Sequence, residues 1–385
     1  LPCAGFEIFD RRREMSINFS AFEIGRRALN ANQFAISLTG QNIANINTPG
    51  YSRRRVQLAE ADTANISGHR LGTGVKTVGI EAFRDNLIQS RIQTEKGIAG
   101  KFTAYRDSLA PVEVALNSSE NGGLQNAISS FFGAFRDLDA NPNSLSLRAV
   151  ATQRGANLAS SFQSTRAKLD AVRTDVDSQL RSSVDQVNTL SEHIAKLNSD
   201  IRSVESSGSD ASALRDQRSE LINNISEFAG VRQTLNSDGS VNLTIGEGRP
   251  LVSGDRAFEL QAVNTPPLGF ATITLEGQPA IIEEGKIRGY QDAIDEVTSQ
   301  IDTLDNLAAA VVNRVNTLHT SGTDLDGNAG GKFFSDSPAV TAANISLDPL
   351  VKANPRLVVA SPLAQPGQNG TIAGEIANLM TDPTT

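Results

Sequence analysis

The chain has 385 residues, more than one typical domain, and 39% of them are hydrophobic while only 5% are aromatic. A net charge of −8 argues against a nucleic acid or an anionic membrane surface as the main partner. The single cysteine, Cys3, excludes an intramolecular disulfide framework and a multi-thiolate metal site. No apolar run approaches the roughly 18 residues that a membrane-spanning helix needs.

The first fourteen residues differ from those that follow. The chain begins with Leu1, whereas Met15 followed by serine has the character of a natural start. Residues 1–9 are too short for a signal peptide, and the basic cluster at 11–13 lies on the wrong side of them. We therefore predict that residues 1–14 are an extension that is not native to the rest of the chain.

Residues 15–60 are predicted to contain one long helix and the turn by which the chain leaves it. Apolar side chains recur every seven residues, which is the spacing with which helices pack together. These residues, called the seam below, are Phe22, Leu29, Ile36 and Ile43. A second row at helical spacing is mostly small and permits close approach; it consists of Ile24, Ala28, Ala31, Ala35 and Leu38. Because a lone helix cannot bury the seam, we expect neighbouring helices to order it.

The helix is predicted to end in a sharply specified turn. Proline disfavours helical geometry in the residue before it, and a Pro-Gly pair fits a type II turn in which glycine takes the positive φ. The residues of this signature turn are Asn42, Asn45, Asn47, Pro49, Gly50 and Tyr51. We predict that the asparagines cap and stabilise the turn rather than form a recognition site.

Residues 61–230 and 286–320 are predicted to form a helical stalk. Apolar residues at steps of three and four continue to Val204 in a helix that starts near Phe162 and would span roughly 65 Å. After an interruption at 206–210, a shorter helix ends at Gly230, and a second long stripe occupies 286–320. Both stripes are too narrow and too long for a globular core, so packing in a bundle is the simplest arrangement.

Residues 231–285 follow a different pattern and are predicted to be an inserted antiparallel β domain. Short β-rich runs are separated by glycine- and proline-containing turns, and they cover 231–235, 240–245, 249–253, 258–263 and 270–275. The turn-rich residues 321–370 are predicted to add loops and strands to the same β region, and residues 371–385 to begin another helix. The fold class is therefore α+β: an elongated multi-helix, coiled-coil-like bundle with an inserted antiparallel β domain.

The sequence holds no signature of catalysis. A nucleophile elbow, a zinc-protease motif and paired carboxylates are all missing, so we predict no enzyme activity and no cofactor. Residues 324–328 resemble the start of a calcium loop, but the glycine and the twelfth residue are out of register, which favours a plain Asx/Gly turn. The scattered His69, His193 and His319 are predicted to be surface residues rather than metal ligands.

Two further stretches have a phosphate-binding and a structural interpretation. Arg53-Arg54-Arg55 could contact phosphates, but the acidic net charge and the lack of an accompanying aromatic platform favour a solvated or subunit-bridging strand. Residues 68–79 are glycine-rich but contain neither a G-x-G-x-x-G motif nor a P-loop lysine in register, so they are predicted to be a flexible loop.

The stretch from Ala28 through Arg55 contains Ala-Leu-Asn-Ala and then Asn-Ile-Ala-Asn-Ile-Asn-Thr-Pro-Gly-Tyr-Ser-Arg. It resembles the N-terminal signature of the bacterial flagellar axial proteins, the family of rod, hook and hook-associated proteins. Three later stretches resemble the hook-associated members at the hook–filament junction. They are residues 214–222 with Leu-Arg-Asp-Gln-Arg-Ser-Glu-Leu-Ile, residues 238–252, and the glycine-rich region from Gly285 to Phe334.

This resemblance implies a structural subunit at the junction between hook and filament, exported to the extracellular flagellum without a cleaved signal peptide. Its expected partners are the hook protein, other hook-associated junction proteins and further copies of itself in a ring. The resemblance also implies a C-terminal helix that pairs with the N-terminal one and binds an export chaperone, and the printed sequence ends where such a helix would begin. A hook or rod subunit is the alternative within the family; a metal- or glycan-binding surface module is the alternative outside it.

Overall fold

The computed structural model describes residues 6–48, 50–66, 69–116, 123–265, 269–363 and 369–381; for residues 6–20 and for Ala64, Ile66, His69, Leu71 and Thr265 it describes only the backbone. The helices in this part of the chain are α1 (Phe6–Ala44), α2 (Asn86–Leu116), α3 (Gly123–Ala140), α4 (Leu145–Ser206), α5 (Ser212–Phe228), α6 (Lys286–Thr320), α7 (Pro349–Ala353) and α8 (Thr371–Asn378). The helix α1 thus continues through described residues of the stretch predicted to be an extension.

The strands are short, as their turn-separated sequences predict. They are β1 (Arg54–Glu60), β2 (Thr63–Ile66), β3 (His69–Gly72), β4 (Val75–Ala82), β5 (Val231–Leu235), β6 (Val241–Ile245), β7 (Arg249–Ser253), β8 (Arg256–Ala257), β9 (Leu260–Thr265), β10 (Phe270–Leu275), β11 (Gln278–Pro279), β12 (Gly322–Thr323) and β13 (Ser361–Pro362). Helices combined with antiparallel sheets confirm the predicted α+β class.

The chain forms two compact units. Unit 1 consists of Leu1–Gly100, Ser183–Thr265 and Thr272–Gly285, and unit 2 consists of Lys101–Ser182, Pro266–Ala271 and Lys286–Thr385. The helices α2 and α4 supply residues to both units. A long helix can do this because its own backbone hydrogen bonds are satisfied along its whole length.

The five strands predicted within 231–285 are present as β5, β6, β7, β9 and β10. They belong to two sheets rather than one: a four-stranded sheet of order β5-β6-β7-β8 and a three-stranded sheet of order β11-β10-β9. In β6 the burial alternates along the strand, with Val241, Leu243 and Ile245 buried and the residues between them half-buried. That alternation is the two-residue period of a strand with one face on a core.

Residues 68–79 are not the flexible loop that their glycines predict. The described residues from 69 onward form the strands β3 and β4, and β4 pairs antiparallel with β1 from Arg54 opposite Ala82 to Glu60 opposite Val75. The register shifts between Gln57 and Leu58, which marks a bulge. Val75, Val78 and Ile80 supply the β-branched side chains that favour this strand over a loop.

Two of the long helices whose limits are predicted begin earlier than expected. The helix α6 covers Lys286–Thr320 as predicted, whereas α1 begins at Phe6 and α4 begins at Leu145 rather than near Phe162. The hydroxyl oxygen of Ser144 accepts the backbone N–H of Leu147 at 3.3 Å, and this cap starts the helix one turn after a proline. The first turns of α4 were missed because their apolar residues do not form a continuous stripe.

The composition of residues 321–370 predicts that they join the β region of 231–285, and this prediction is wrong. Within the described residues the strand β12 pairs with β13, and its Thr323 forms an isolated bridge with Ala329. The segment places two fully buried phenylalanines, Phe333 and Phe334, in the helical core of unit 2. Their ring centres lie 5.6 Å from that of Phe131 on α3. The helix α8 packs against α3 and α6 and buries Ile376 completely. Turn-rich sequence here forms an irregular segment that completes a helical core.

Candidate assembly surface

The helix α1 has one covered face and one bare face. The β1–β4 hairpin lies against it in unit 1, and on that side Ala31 and Leu38, from the predicted second row, are each only 5% exposed. The four residues of the seam point elsewhere and are between 59% and 71% exposed. The small second row therefore provides the intramolecular contact, and the seam of large side chains is left without a cover in the described chain.

Asn42 ties the end of α1 to the first strand of the hairpin. Its side-chain amide donates to the carbonyl oxygen of Arg54 at 2.8 Å, and its Oδ1 accepts the backbone N–H of Arg54 at 3.0 Å. The same Oδ1 accepts the hydroxyl of Tyr51 at 2.9 Å. One asparagine thus satisfies both backbone groups of a residue twelve positions later, and the helix leaves for the strand at a fixed angle.

The turn between them, residues 45–51 and called the exit turn below, has type II geometry where it is described. The backbone N–H of Tyr51 donates to the carbonyl oxygen of Thr48 at 3.2 Å, and Gly50 has a φ of 77°. Pro49, predicted for the second position of the turn, lies outside the described residues. A positive φ at the third position is what a type II turn requires, and glycine adopts it without steric cost.

The other two asparagines of the signature differ in their surroundings. Asn45 donates its side-chain amide to the carbonyl oxygen of Gln41 at 3.0 Å and accepts the hydroxyl of Thr48 at 3.2 Å. Asn47 is exposed. The asparagine signature therefore contains a bridge to the hairpin at Asn42, a local cap at Asn45 and an exposed amide at Asn47.

A charged cluster joins the exit turn to α5. The carboxylate of Asp216 accepts from the guanidinium of Arg54 at 2.6 Å and also pairs with Arg84, which in turn donates to the hydroxyl of Ser52 at 3.0 Å. Asp216 is only 8% exposed, so the cluster is shielded from solvent. A Cβ built on Gly50 would lie 3.5 Å from the Cβ of Glu220, which shows how closely the turn approaches α5.

This cluster corrects the prediction of a solvated or subunit-bridging strand for Arg54 alone. Arg54 is buried at its guanidinium and lies 5.0 Å from the ring centre of Tyr51. Arg53 and Arg55, both exposed, lie 4.5 and 4.9 Å from the ring centre of Phe83. An aromatic platform is therefore present, but it comes from the far end of β4 and could not be seen in the local sequence.

The stretch 214–222 also connects to the strands of 238–252. The buried Arg218 donates to the side-chain oxygen of Asn198 at 2.7 Å and to the carbonyl oxygen of Gly239 at 2.9 Å. Asn198 in turn donates to the carbonyl oxygen of Val241 at 2.8 Å. Burial lowers the pKa of Arg218 to about 10. The sequence stretches that resemble one family therefore meet through two buried side-chain networks of unit 1, one at Asp216 and one at Arg218.

In unit 2, Asn316 and His319 on α6 position the glycine-rich end of the third family-like stretch, residues 285–334. The side-chain oxygen of Asn316 accepts the backbone N–H groups of Phe333 and Phe334 at 3.0 and 2.9 Å. His319 is fully buried, which corrects its prediction as a surface residue. Its Nδ1 donates to the carbonyl oxygen of Gly331 at 2.7 Å, while its Nε2 accepts the N–H of Val359 at 2.9 Å.

That hydrogen bonding defines the protonation state of His319. The ring needs a proton on Nδ1 and a lone pair on Nε2, so the neutral imidazole fits both partners. Burial lowers the pKa of His319 to about 4. His193 is exposed as predicted, and the side chain of His69 lies outside the described residues.

The candidate calcium loop is an Asx turn. The carboxylate of Asp324 accepts the backbone N–H groups of Asp326 and Asn328 at 2.9 and 2.8 Å, and Arg356 pairs with Asp326. Gly327 has a φ of 82°, as a tight turn requires. Among the residues that the structure describes there is no group of three His, Cys, Asp or Glu side chains able to hold a metal ion. Nor is any helix in those ranges both long and apolar enough for a membrane span.

An open groove of about 890 Å³ lies beside the exit turn in unit 1. Its larger apolar side chains are Tyr51, Leu197, Leu214 and Leu221, and further residues of α1, the exit turn, β1, α4 and α5 complete the lining. Ile46, in the exit turn, is 77% exposed. The exit turn is thus flanked by apolar surface that its own unit does not cover. An uncovered apolar area of this kind marks a site of association.

Comparison with known proteins gives consistent results along the chain. The family model of the flagellar hook-associated protein FlgK helical domain matches residues 109–334, and that of the flagella basal body rod protein matches residues 22–51. The second range contains the seam and the exit turn. The first contains all of α4, α5 and α6 and the strands between them.

Similar proteins are flagellar hook-associated proteins 1. The chain is 27% identical to the one from Bacillus subtilis, over 83% of this chain and 71% of that protein. It is 28% identical to the one from Salmonella typhimurium, over 86% of this chain but only 62% of that protein. A solved structure, that of the flagellar hook junction protein FlgK from Burkholderia pseudomallei, aligns with a TM-score of 0.57 at 25% identity, over 64% of this chain and 46% of that one.

Proposed function

Because the chain belongs to the family of the flagellar hook-associated protein FlgK, whose helical-domain model matches more than half of it, we propose that it is a structural subunit of the bacterial flagellum. In this proposal the subunit forms the junction between hook and filament and supports flagellum assembly and motility. The observation that supports it most directly is the bare seam of α1. Four large apolar side chains on one face of a helix stabilise a structure only when another helix covers them.

The energetics favour assembly through this face. Covering four such side chains contributes on the order of 6–12 kcal/mol before the entropy of ordering is subtracted. The exit turn keeps the entropy cost of ordering small, because Asn42 and the Asp216 cluster hold the end of α1 against the rest of unit 1. The function of the signature residues is then to present the seam in a fixed direction.

The partners follow from the proposed position. They are the hook protein, other hook-associated junction proteins and further copies of the same chain in a ring, with an export chaperone acting before assembly. The subunit is proposed to be structural rather than catalytic and to reside in the extracellular flagellum. A hook or rod subunit is less well supported, because the rod-protein model matches only residues 22–51 while the FlgK model matches 109–334.

The proposal is tested by placing a charge in the seam. We expect Ile36→Asp, in the full-length gene expressed in a strain that lacks it, to abolish filaments and swimming, since a carboxylate cannot be buried between helices. The free energy of unfolding of the purified chain, measured by thermal unfolding, should change by less than about 0.5 kcal/mol, because the side chain is 71% exposed.

Ser37→Asp is the matched control. Ser37 is exposed, lies next to Ile36 in sequence and points about 100° away from it around the helix. It introduces the same charge and should retain filaments. Normal filament numbers with Ile36→Asp would contradict the proposed function.

A further inference from the structure

A cationic patch lies on the β1–β4 hairpin of unit 1. Arg53 and Arg55 both place a guanidinium within 5 Å of the Phe83 ring centre, at 4.5 and 4.9 Å. Arg55 pairs with Glu81 at 2.7 Å, whereas Arg53 has no ion pair within the described residues. All three members of the patch are exposed. Contact with the ring restricts the motion of both arginine side chains, which lowers the entropy cost of binding a negatively charged partner.

An acidic stripe lies on the outer face of α6 in unit 2. Asp295, Ser299 and Asp302 are all exposed, and their spacing of four and three residues places them on one face of the helix. Neither Asp295 nor Asp302 has an ion pair in the described chain, and no lysine or arginine occurs between residues 292 and 305. Partial burial and the neighbouring Asp292 carboxylate raise the pKa of Asp295, and the charge of Arg288 offsets part of this effect.

The patch and the stripe carry opposite charges, and both are exposed. We propose that the Arg53–Phe83–Arg55 patch of one copy binds the Asp295–Asp302 stripe on α6 of a second copy. The inference rests on the proposed function, because a ring of subunits needs a lateral contact between copies.

The geometry of the two surfaces is compatible with this contact. Residues two apart on one face of a strand are about 7 Å apart, and residues seven apart on a helix are about 10 Å apart, a difference within the reach of arginine side chains. Guanidinium groups bind carboxylates with two parallel hydrogen bonds, which gives the contact direction as well as charge. Because the two surfaces differ, the contact is head-to-tail and repeats from copy to copy until a ring closes.

Charge reversal in separate copies tests the inference. One variant carries Arg53→Glu and Arg55→Glu, and the other carries Asp295→Arg and Asp302→Arg; self-association of the full chain is measured by sedimentation velocity at low salt. We expect the wild-type chain to associate in a salt-sensitive manner and each variant alone to bind itself at least tenfold more weakly, because like charges then face each other. An equimolar mixture should associate again, since every contact between unlike variants pairs opposite charges.

The controls separate this contact from misfolding and from the seam. Arg53→Glu alone breaks no ion pair of the described chain and should still weaken association. Arg70→Glu with Lys76→Glu makes the same net change elsewhere on unit 1 and should leave association unchanged. None of these substitutions touches the seam, so the dependence of filaments on Ile36 is unaffected by their outcome.

Three results would overturn the inference. They are a wild-type chain without salt-sensitive association at its highest soluble concentration, single-patch variants that associate like the wild type, and a mixture that fails to recover association. The last result would mean that the two patches have other partners, or that they do not meet each other between copies.

Discussion

The carboxylate of Asp216 is shared by two guanidinium groups and is shielded from solvent, so we expect the stability of unit 1 to depend on it. Arg54 and Arg84 are partly buried and depend on it for charge compensation. Removing one member of a buried ion cluster leaves its partners uncompensated, which is more harmful than replacing the whole cluster with apolar groups.

We expect Asp216→Asn to destabilise unit 1 by about 3–5 kcal/mol, because two arginines lose their counter-charge. Amide exchange in α5 and at the exit turn measures the effect locally. The triple variant Arg54→Met, Arg84→Met and Asp216→Leu should recover most of the loss. If Asp216→Asn exchanges like the wild type, the cluster does not hold the exit turn.

His319 makes the stability of unit 2 depend on pH. The pKa is about 4 in the folded chain and near 6.5 when unfolded, so protonation favours the unfolded state as the pH falls below 6.5. The stabilisation is complete above about pH 6.5 and should fall by about 2 kcal/mol on going to about pH 5.

Urea unfolding of His319→Asn across that pH range measures this contribution. The variant should be less stable at neutral pH, because it cannot reproduce both hydrogen bonds, and its pH dependence should be flatter. His193→Asn, at an exposed position, should keep the wild-type slope. A wild-type slope in His319→Asn would show that other groups cause the pH dependence.

Among the helices, α2 and α6 approach so closely in unit 2 that a side chain does not fit between them. A Cβ on Gly289 of α6 would lie 2.3 Å from the carbonyl oxygen of Lys101 and 2.9 Å from the Cβ of Ala104. Backbone oxygen atoms cannot move aside as a flexible side chain can. Glycine at this position is therefore a packing requirement, even though it weakens an isolated helix.

We expect Gly289→Ala to destabilise unit 2 by about 1–3 kcal/mol through forced separation of the two helices. Gly133→Ala is the matched control, because beyond its chain neighbours and the nearby backbone of α3 no heavy atom lies within 4 Å of the added methyl group. There alanine should stabilise by about 0.5–1 kcal/mol through its higher helix propensity. Chemical denaturation of both variants measures the difference, and equal effects would exclude close packing as the cause.

At the scale of the whole molecule, the two units contain different structural features. Unit 2 contains a cluster of phenylalanines from α3 and from the irregular segment after α6, with ring centres 4.9–5.6 Å apart. Unit 1 contains the seam, the exit turn and the two buried networks. Each unit can therefore be perturbed through residues that belong to it alone.

We expect Phe333→Ala to destabilise unit 2 by about 3–5 kcal/mol, since the ring is fully buried among other rings. Hydrogen exchange should show lost protection in α3, α8 and the second half of α6, with the strands β5–β7 unchanged. Exposed Phe102→Ala is the control and should change protection little. Loss of protection in β5–β7 as well would show that the two units unfold together.

The local sequence was sufficient wherever the structure depends on periodicity and turn chemistry. The limits of α6, the strands of 231–275, the seam and the glycine of the exit turn follow from the apolar spacing and from backbone rules. It was insufficient where partners are distant. Residues 69–79 became strands because they pair with β1, and the turn-rich residues after α6 became core because Phe333 and Phe334 meet α3.

What the sequence by itself determined is that α1 has a seam every seven residues and ends in a type II turn. Both depend on neighbours in the chain. Only the tertiary structure decided which row of α1 is covered and what anchors its exit. The pairs Arg54–Asp216 and Arg84–Asp216 join residues 162 and 132 positions apart. Charge attraction over such separations acts only after the chain has folded, so no local pattern can encode which carboxylate an arginine will meet.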